Sequence, residues 1–167
     1  MGELILLRHG ETEWSLAGQH TGRTDIPLTT RGEAAAKALA PLLARRDIVA
    51  VFTSPARRAV TTAAFAGLDN AKPDPDLWEW DYGGYEGLTT PQILKTKPGW
   101  YLWRDGVIPG DAEHPGETIA QVAERVKREG EALDGALVEA TCLHDFAQPH
   151  DGALALEDAQ DLHTLLE

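Results

Sequence analysis

Two short, wholly apolar runs, Leu4-Ile5-Leu6-Leu7 and Ile48-Val49-Ala50-Val51-Phe52, each break off into polar, cationic sequence. Runs of this length without alternation read as strands covered on both faces, the habit of parallel sheets. Helical signals surround them. Thr30-Arg31-Gly32-Glu33 fits a capping box and predicts a helix with Ala35, Leu39, Leu42 and Leu43 on its apolar side, kinked or stopped at Pro41. Pro55 stands where a first helical residue is favoured, predicting a second helix through Ala66. The order strand, loop, helix, strand, helix predicts an α/β fold, a mainly parallel sheet flanked by helices on both faces.

Residues 67–118 are rich in Pro, Gly and Trp, with a short helix predicted only near 91–95. A stretch of that length is read as a functional excursion over one sheet edge. From Glu117 to Ala140, Ile119, Val122, Val126, Leu133 and Leu137 recur at helical spacing. With 167 residues, 43% of them apolar, the chain suits one domain with a sizeable core.

The formal charge of −12 is unevenly placed: residues 1–128 hold 17 acidic and 15 basic side chains, residues 129–167 hold 10 acidic and no Lys or Arg. Such an acidic chain is a poor nonspecific nucleic-acid ligand. No apolar run approaches the roughly 20 residues of a membrane span, no signal-peptide pattern opens the chain, and the lone Cys142 excludes a disulfide framework. A cytoplasmic protein without membrane or nucleic-acid partners is expected.

The chemistry gathers at the two strand ends, where ligands bind in α/β sheets. After the first comes Arg8-His9-Gly10: an imidazole suited to nucleophilic attack, a guanidinium suited to phosphate, and a glycine that lets backbone approach an anion. After the second, Ser54-Pro55-Ala56-Arg57-Arg58 opens a helix, and neighbouring Arg57 and Arg58 project differently, so at most one of them faces the site. Either segment alone reads as structural or as a solvated basic face. Two adjacent parallel strands ending in cations favour a shared anion pocket.

Taken in order, LLRHGETEWS (6–15), HTGRTDIPLT (20–29), FTSPARRAVTT (52–62), LWEWDYGGYEG (77–87) and HPGET (114–118) resemble the histidine phosphatase superfamily, the phosphoglycerate mutase-like fold. The TEWS, TGRTDIPLT, EWDYGGYEG and WRDG segments are most similar to sugar-phosphate phosphatases of the sedoheptulose-bisphosphatase type, with phosphoglycerate mutases further off. The resemblance implies His9 as the nucleophile that becomes phosphohistidine, and Arg8 and Arg58 as the clamp on the phosphoryl oxygens. It implies Glu79 as general acid, its proton retained by burial and by walls of Trp78 and Trp80; Asp81 and Glu86 compete for that role. Ser15, Thr21, Gly22, Tyr82 and Arg104 are expected to contact substrate, Arg104 through a second phosphate or else paired on the surface with Asp105 or Asp111. No metal or other cofactor is needed for phosphoryl transfer by positioning and cationic stabilisation.

The resemblance runs through about residue 140. The second catalytic histidine of such proteins, expected on a strand beginning soon after Ala140, has no clear counterpart. His144, His150 and Gln148 are the candidates, and residues 141–167 read as a divergent acidic segment, truncated or frame-changed relative to the pattern. Loss of a central strand there predicts an exposed sheet edge and a possible homo-oligomer. The expected function is hydrolysis of a small phosphorylated metabolite, a sugar phosphate foremost. The alternatives are a catalytically impaired phosphate or phosphosugar binder, a phosphoglycerate mutase, and an interaction module acting through the acidic end.

Overall fold

The structure, a computed structural model, describes residues 4–132 and 138–141. Four parallel strands form one sheet in the order β1 (Ile5–Leu6), β4 (Val138–Thr141), β2 (Ala50–Thr53), β3 (Lys72–Pro73). β1 and β2 are therefore not neighbours, contrary to expectation. β4 lies between them, pairing Ile5 with Glu139 on one side and Val51 with Glu139 on the other. The helix predicted from 117 to 140 ends earlier: α6 is Ile119–Ala132, and its continued spacing of apolar residues gives way to a strand. From Val138 onward the segment pairs on both sides, and that pairing decides for the strand. The central strand thus begins before the expected position after Ala140 and leaves no gap there. His144, Gln148 and His150 lie outside the described residues.

α2 (Thr30–Leu43) starts one residue earlier than the capping box suggested, because Thr29 is its N-cap and its hydroxyl accepts from Gly32 N at 3.0 Å. That cap contributes about 1 kcal/mol. The same hydroxyl donates to Glu11 Oε1 at 2.8 Å, joining α2 to the loop after β1. The helix tolerates Pro41 in its last turn and buries Ala36, Leu39 and Leu43, whereas Leu42 is exposed and Ala35 half-buried. α3 (Arg57–Phe65) follows β2, with Ala56 as N-cap and Pro55 just outside. Leu39, Leu43, Ala63 and Ala66 from these two helices meet Leu7 and Val51 in one core.

The excursion from 67 to 118 carries a single 3-10 turn (Pro75–Leu77), α4 (Thr90–Thr96) and α5 (Leu102–Asp105), preceded by the short α1 (Glu13–Ala17) near the chain start. It builds a second core of Trp80, Tyr82, Tyr85, Ile93, Trp100 and Leu102, closed by Val122 of α6. The aromatic rings meet at tilted and edge-on angles, Trp80 with Trp103 at 5.1 Å and Tyr85 with Trp100 at 5.3 Å between centroids. This core fixes the Trp78–Gly83 segment that carries Glu79.

Candidate active site

His9 follows β1 and is half-buried. Its Nδ1 lies 2.8 Å from the Gly10 carbonyl oxygen. A carbonyl can only accept, so Nδ1 is the donor in this bond, and in a neutral imidazole the lone pair then lies on Nε2. The Gly10 N–H donates to Thr62 Oγ1 at 2.9 Å, and that hydroxyl donates to the Arg58 carbonyl at 2.7 Å, so the end of β1 is bolted to α3. The glycine at position 10 is required by packing. A Cβ there would stand 2.7 Å from the Gly32 carbonyl oxygen, in the first turn of α2.

Arg57 is exposed and Arg58 only 1% exposed, so the neighbours do part company on the helix. Arg58 Nη1 donates to Thr24 O at 3.1 Å, and Nη2 donates to Thr21 O at 3.1 Å and Gly22 O at 2.9 Å. Its Nε–H, also enclosed, meets no acceptor among the described residues. An unsatisfied buried donor costs about 1–3 kcal/mol, more when charged. An anionic oxygen is the natural partner for it. Arg8 sits exposed beside His9.

The loop at 21–24 is held from the other side by Glu86. Its carboxylate accepts from Gly22 N at 2.9 and 3.1 Å and from Thr24 N at 3.1 Å. With its oxygens so committed, Glu86 is a loop anchor. Asp81 is 4% exposed and accepts from Gly83 N at 3.0 Å. Glu79 is half-buried, with Oε1 accepting from Trp80 N at 2.7 Å. The Trp80 carbonyl presses on Gly22, where a Cβ would stand 2.1 Å from that oxygen. Gly22→Ala is therefore expected to destabilise the protein by about 2 kcal/mol or more, read as a lowered midpoint in urea unfolding with unchanged slope.

Several expected substrate contacts are used elsewhere. Ser15 closes the cap of α1: its hydroxyl donates to Thr12 O at 3.0 Å and accepts from Thr12 N at 2.8 Å. Thr21 Oγ1 donates to Gln19 O at 3.1 Å, and the residue reaches Arg58 through its carbonyl. Tyr82 is 1% exposed, its ring tilted against His20 and stacked with Trp80 in the second core. Arg104 makes the surface pair with Asp105 that was one of its two expected readings. Nε donates to Asp105 Oδ1 at 3.1 Å and Nη2 to Oδ2 at 2.6 Å, and Nη2 also meets Gly99 O. That hydrogen-bonded guanidinium, then the Tyr101 N–H, holds the Asp105 carboxyl down to about 2. The paired walls around Glu79 also separate. The Trp80 ring turns into the core, whereas Trp78 is half-buried under the Arg23 guanidinium, 5.1 Å from its ring centroid.

Sequence reasoning passed over Glu117, the hub of this region. Its carboxylate accepts from Arg125 Nε at 2.9 Å, Arg125 Nη2 at 3.1 Å and Asp81 N at 2.8 Å, with Arg23 Nη2 at 3.4 Å. Its carbonyl accepts from Trp80 Nε1 at 2.8 Å. Burial alone would raise the Glu117 carboxyl, but the Arg125 hydrogen bonds, the Asp81 N–H and the Arg23 charge outweigh it and hold it below the ordinary range. The signal was present in His114-Pro115-Gly116-Glu117-Thr118, but its partners are 36 and 8 residues away.

The fold joins the segments that carry the His9 imidazole, the buried Arg58 guanidinium and the Glu79 carboxyl: Gly10 is bonded to α3, Arg58 to the Gly22 carbonyl, and the Trp80 carbonyl meets Gly22. Comparison with known proteins agrees. The family model described as histidine phosphatase superfamily (branch 1) matches residues 4–143. An acid phosphatase of Mycobacterium tuberculosis is 45% identical over 124 residues, which is 73% of this chain and 58% of that protein. Sedoheptulose 1,7-bisphosphatase of Saccharomyces cerevisiae is 36% identical over 148 residues, 74% of this chain and 52% of the relative. A solved structure from Mycobacterium tuberculosis superposes with a TM-score of 0.73 at 40% identity, covering 84% of this chain and 74% of that one. The chain spans between half and two thirds of the length of these curated relatives.

Proposed function

The chain belongs to the histidine phosphatase superfamily, and from that premise we propose that it hydrolyses small phosphomonoesters, sugar phosphates foremost, through a phosphohistidine on His9. The observation that carries this reading is the Nδ1–H bond from His9 to the Gly10 carbonyl, which aims chemistry at Nε2. The names of the relatives, acid phosphatase and sedoheptulose 1,7-bisphosphatase, support the same class.

Nε2 attacks phosphorus and the ester P–O bond breaks. The leaving alkoxide takes a proton from the Glu79 carboxyl, which accepts the Trp80 N–H through Oε1. Arg58 and Arg8 offset charge on the phosphoryl oxygens, in the first case through the spare Nε–H. Water then attacks phosphorus, its proton passing to the Glu79 carboxylate. The P–N bond breaks, and phosphate leaves with His9 restored.

Quenching the protein with labelled p-nitrophenyl phosphate in alkali should trap a phosphoenzyme that survives base and is discharged by mild acid, as a phosphoramidate must be. Turnover without such a species would show that water attacks the ester directly. Phosphate binding without turnover would leave the impaired binder in place of the enzyme.

A further inference from the structure

A cleft of about 580 Å³ opens against the Trp78–Asp81 segment that carries Glu79, lined among others by Arg23, Trp78, Asp81, Glu113, Glu117 and Gln121. It adjoins the phosphoryl clamp, because Gly22, whose carbonyl holds Arg58, immediately precedes Arg23. Its size suits a small metabolite. We infer that this cleft receives the leaving group of the substrate and selects an uncharged, hydroxyl-rich one: a sugar carrying a single phosphate, in preference to a bisphosphate or a phosphorylated acid. The inference rests on the reading of His9 as phosphoryl acceptor.

Charge makes the first argument. Three carboxylates, Asp81, Glu113 and Glu117, line the cleft against Arg23, and Arg125 is bonded to Glu117 behind it. The sum is one net negative charge. Arg23 is already committed to Glu117 at 3.4 Å and to the Trp78 ring. A second phosphate entering here would meet uncompensated carboxylate, chiefly Glu113, which makes no side-chain hydrogen bond or ion pair among the described residues.

Hydrogen-bonding capacity makes the second. The Glu113 carboxylate can accept from hydroxyls. Gln121 has its Oε1 taken by Thr118 N at 2.8 Å and Thr118 Oγ1 at 2.9 Å, which turns its amide N–H groups into the available donors. The stacked Arg23–Trp78 pair supplies a flat wall for the C–H face of a sugar ring. Arg104, the earlier candidate for a second phosphate, is tied to Asp105 and does not line the cleft.

The test compares a hexose monophosphate with the corresponding bisphosphate, by kcat/KM in the wild type and by calorimetric affinity in His9→Ala, which cannot turn over. Both readouts are expected to favour the monophosphate by about tenfold or more. Glu113→Lys should close that gap by about tenfold, and Glu113→Gln by less in the same direction. Equal or better binding of the bisphosphate, or a ratio unmoved in Glu113→Lys, overturns the assignment. Absence of turnover with a preserved binding preference would remove the hydrolase reading and leave the cleft's selectivity standing.

Discussion

His9→Ala is expected to lower kcat for p-nitrophenyl phosphate and for sugar monophosphates by about a thousandfold or more. The loss follows from what the imidazole does: without it there is no nitrogen to take the phosphoryl group, and a one-step attack by water must replace two easier steps. About a thousandfold corresponds to about 4 kcal/mol of transition-state stabilisation. The fold should survive, since His9 is only half-buried and belongs to neither hydrophobic core. Circular dichroism and the urea midpoint should match the wild type, and inorganic phosphate should still bind through Arg58. Residual activity within tenfold of the wild type would assign the nucleophile to another group.

Glu117→Ala is expected to be the most damaging single change to stability, costing about 3–5 kcal/mol. The Arg125 side chain is 7% exposed and would keep only the Asp76 carbonyl, at 2.9 Å, as partner for its charge. The Asp81 N–H would lose its acceptor and Arg23 its ion pair. Glu117→Gln retains one acceptor oxygen, so an intermediate loss is expected in guanidinium unfolding at neutral pH. The pH dependence has a defined sign. The Glu117 carboxyl is depressed in the folded protein, so its contribution is complete above its ordinary pKa near 4.5 and fades as pH falls through the lowered value. The gap in stability between wild type and Glu117→Gln should therefore be widest near neutrality and shrink in acid. A gap that grew in acid would contradict this account.

The local signals in the chain carried far because they rest on short-range physics. A run such as Leu4–Leu7 can only be satisfied by burial, and Thr89-Thr90-Pro91-Gln92 caps α4 whatever surrounds it, with Thr89 and Gln92 bonding each other's backbone. The positions of His9, Arg58 and Glu79 followed from motifs set against those elements. Side-chain duties were harder to read. Glu79, Asp81 and Glu86 are three acids within one motif, and only their partners separate them: Glu86 reaches Gly22 and Thr24 across more than 60 residues, and Asp81 bonds its own turn. Nothing local in Tyr82 told a core ring from a substrate contact.

What the amino-acid order determined by itself was the α/β class and the placement of Arg8-His9 and of Arg57-Arg58 just past the ends of two strands. Each of these depends on spacing and residue type within a dozen positions. Tertiary structure alone decided that β4 separates β1 from β2, that Gly10 and Gly22 are required by backbone oxygens of distant segments, and that Glu117 is the electrostatic hub. The physical reason is common to all three. A sheet neighbour, a steric limit and a buried ion pair are properties of pairs of segments, and the sequence spells out only one member of a pair at a time.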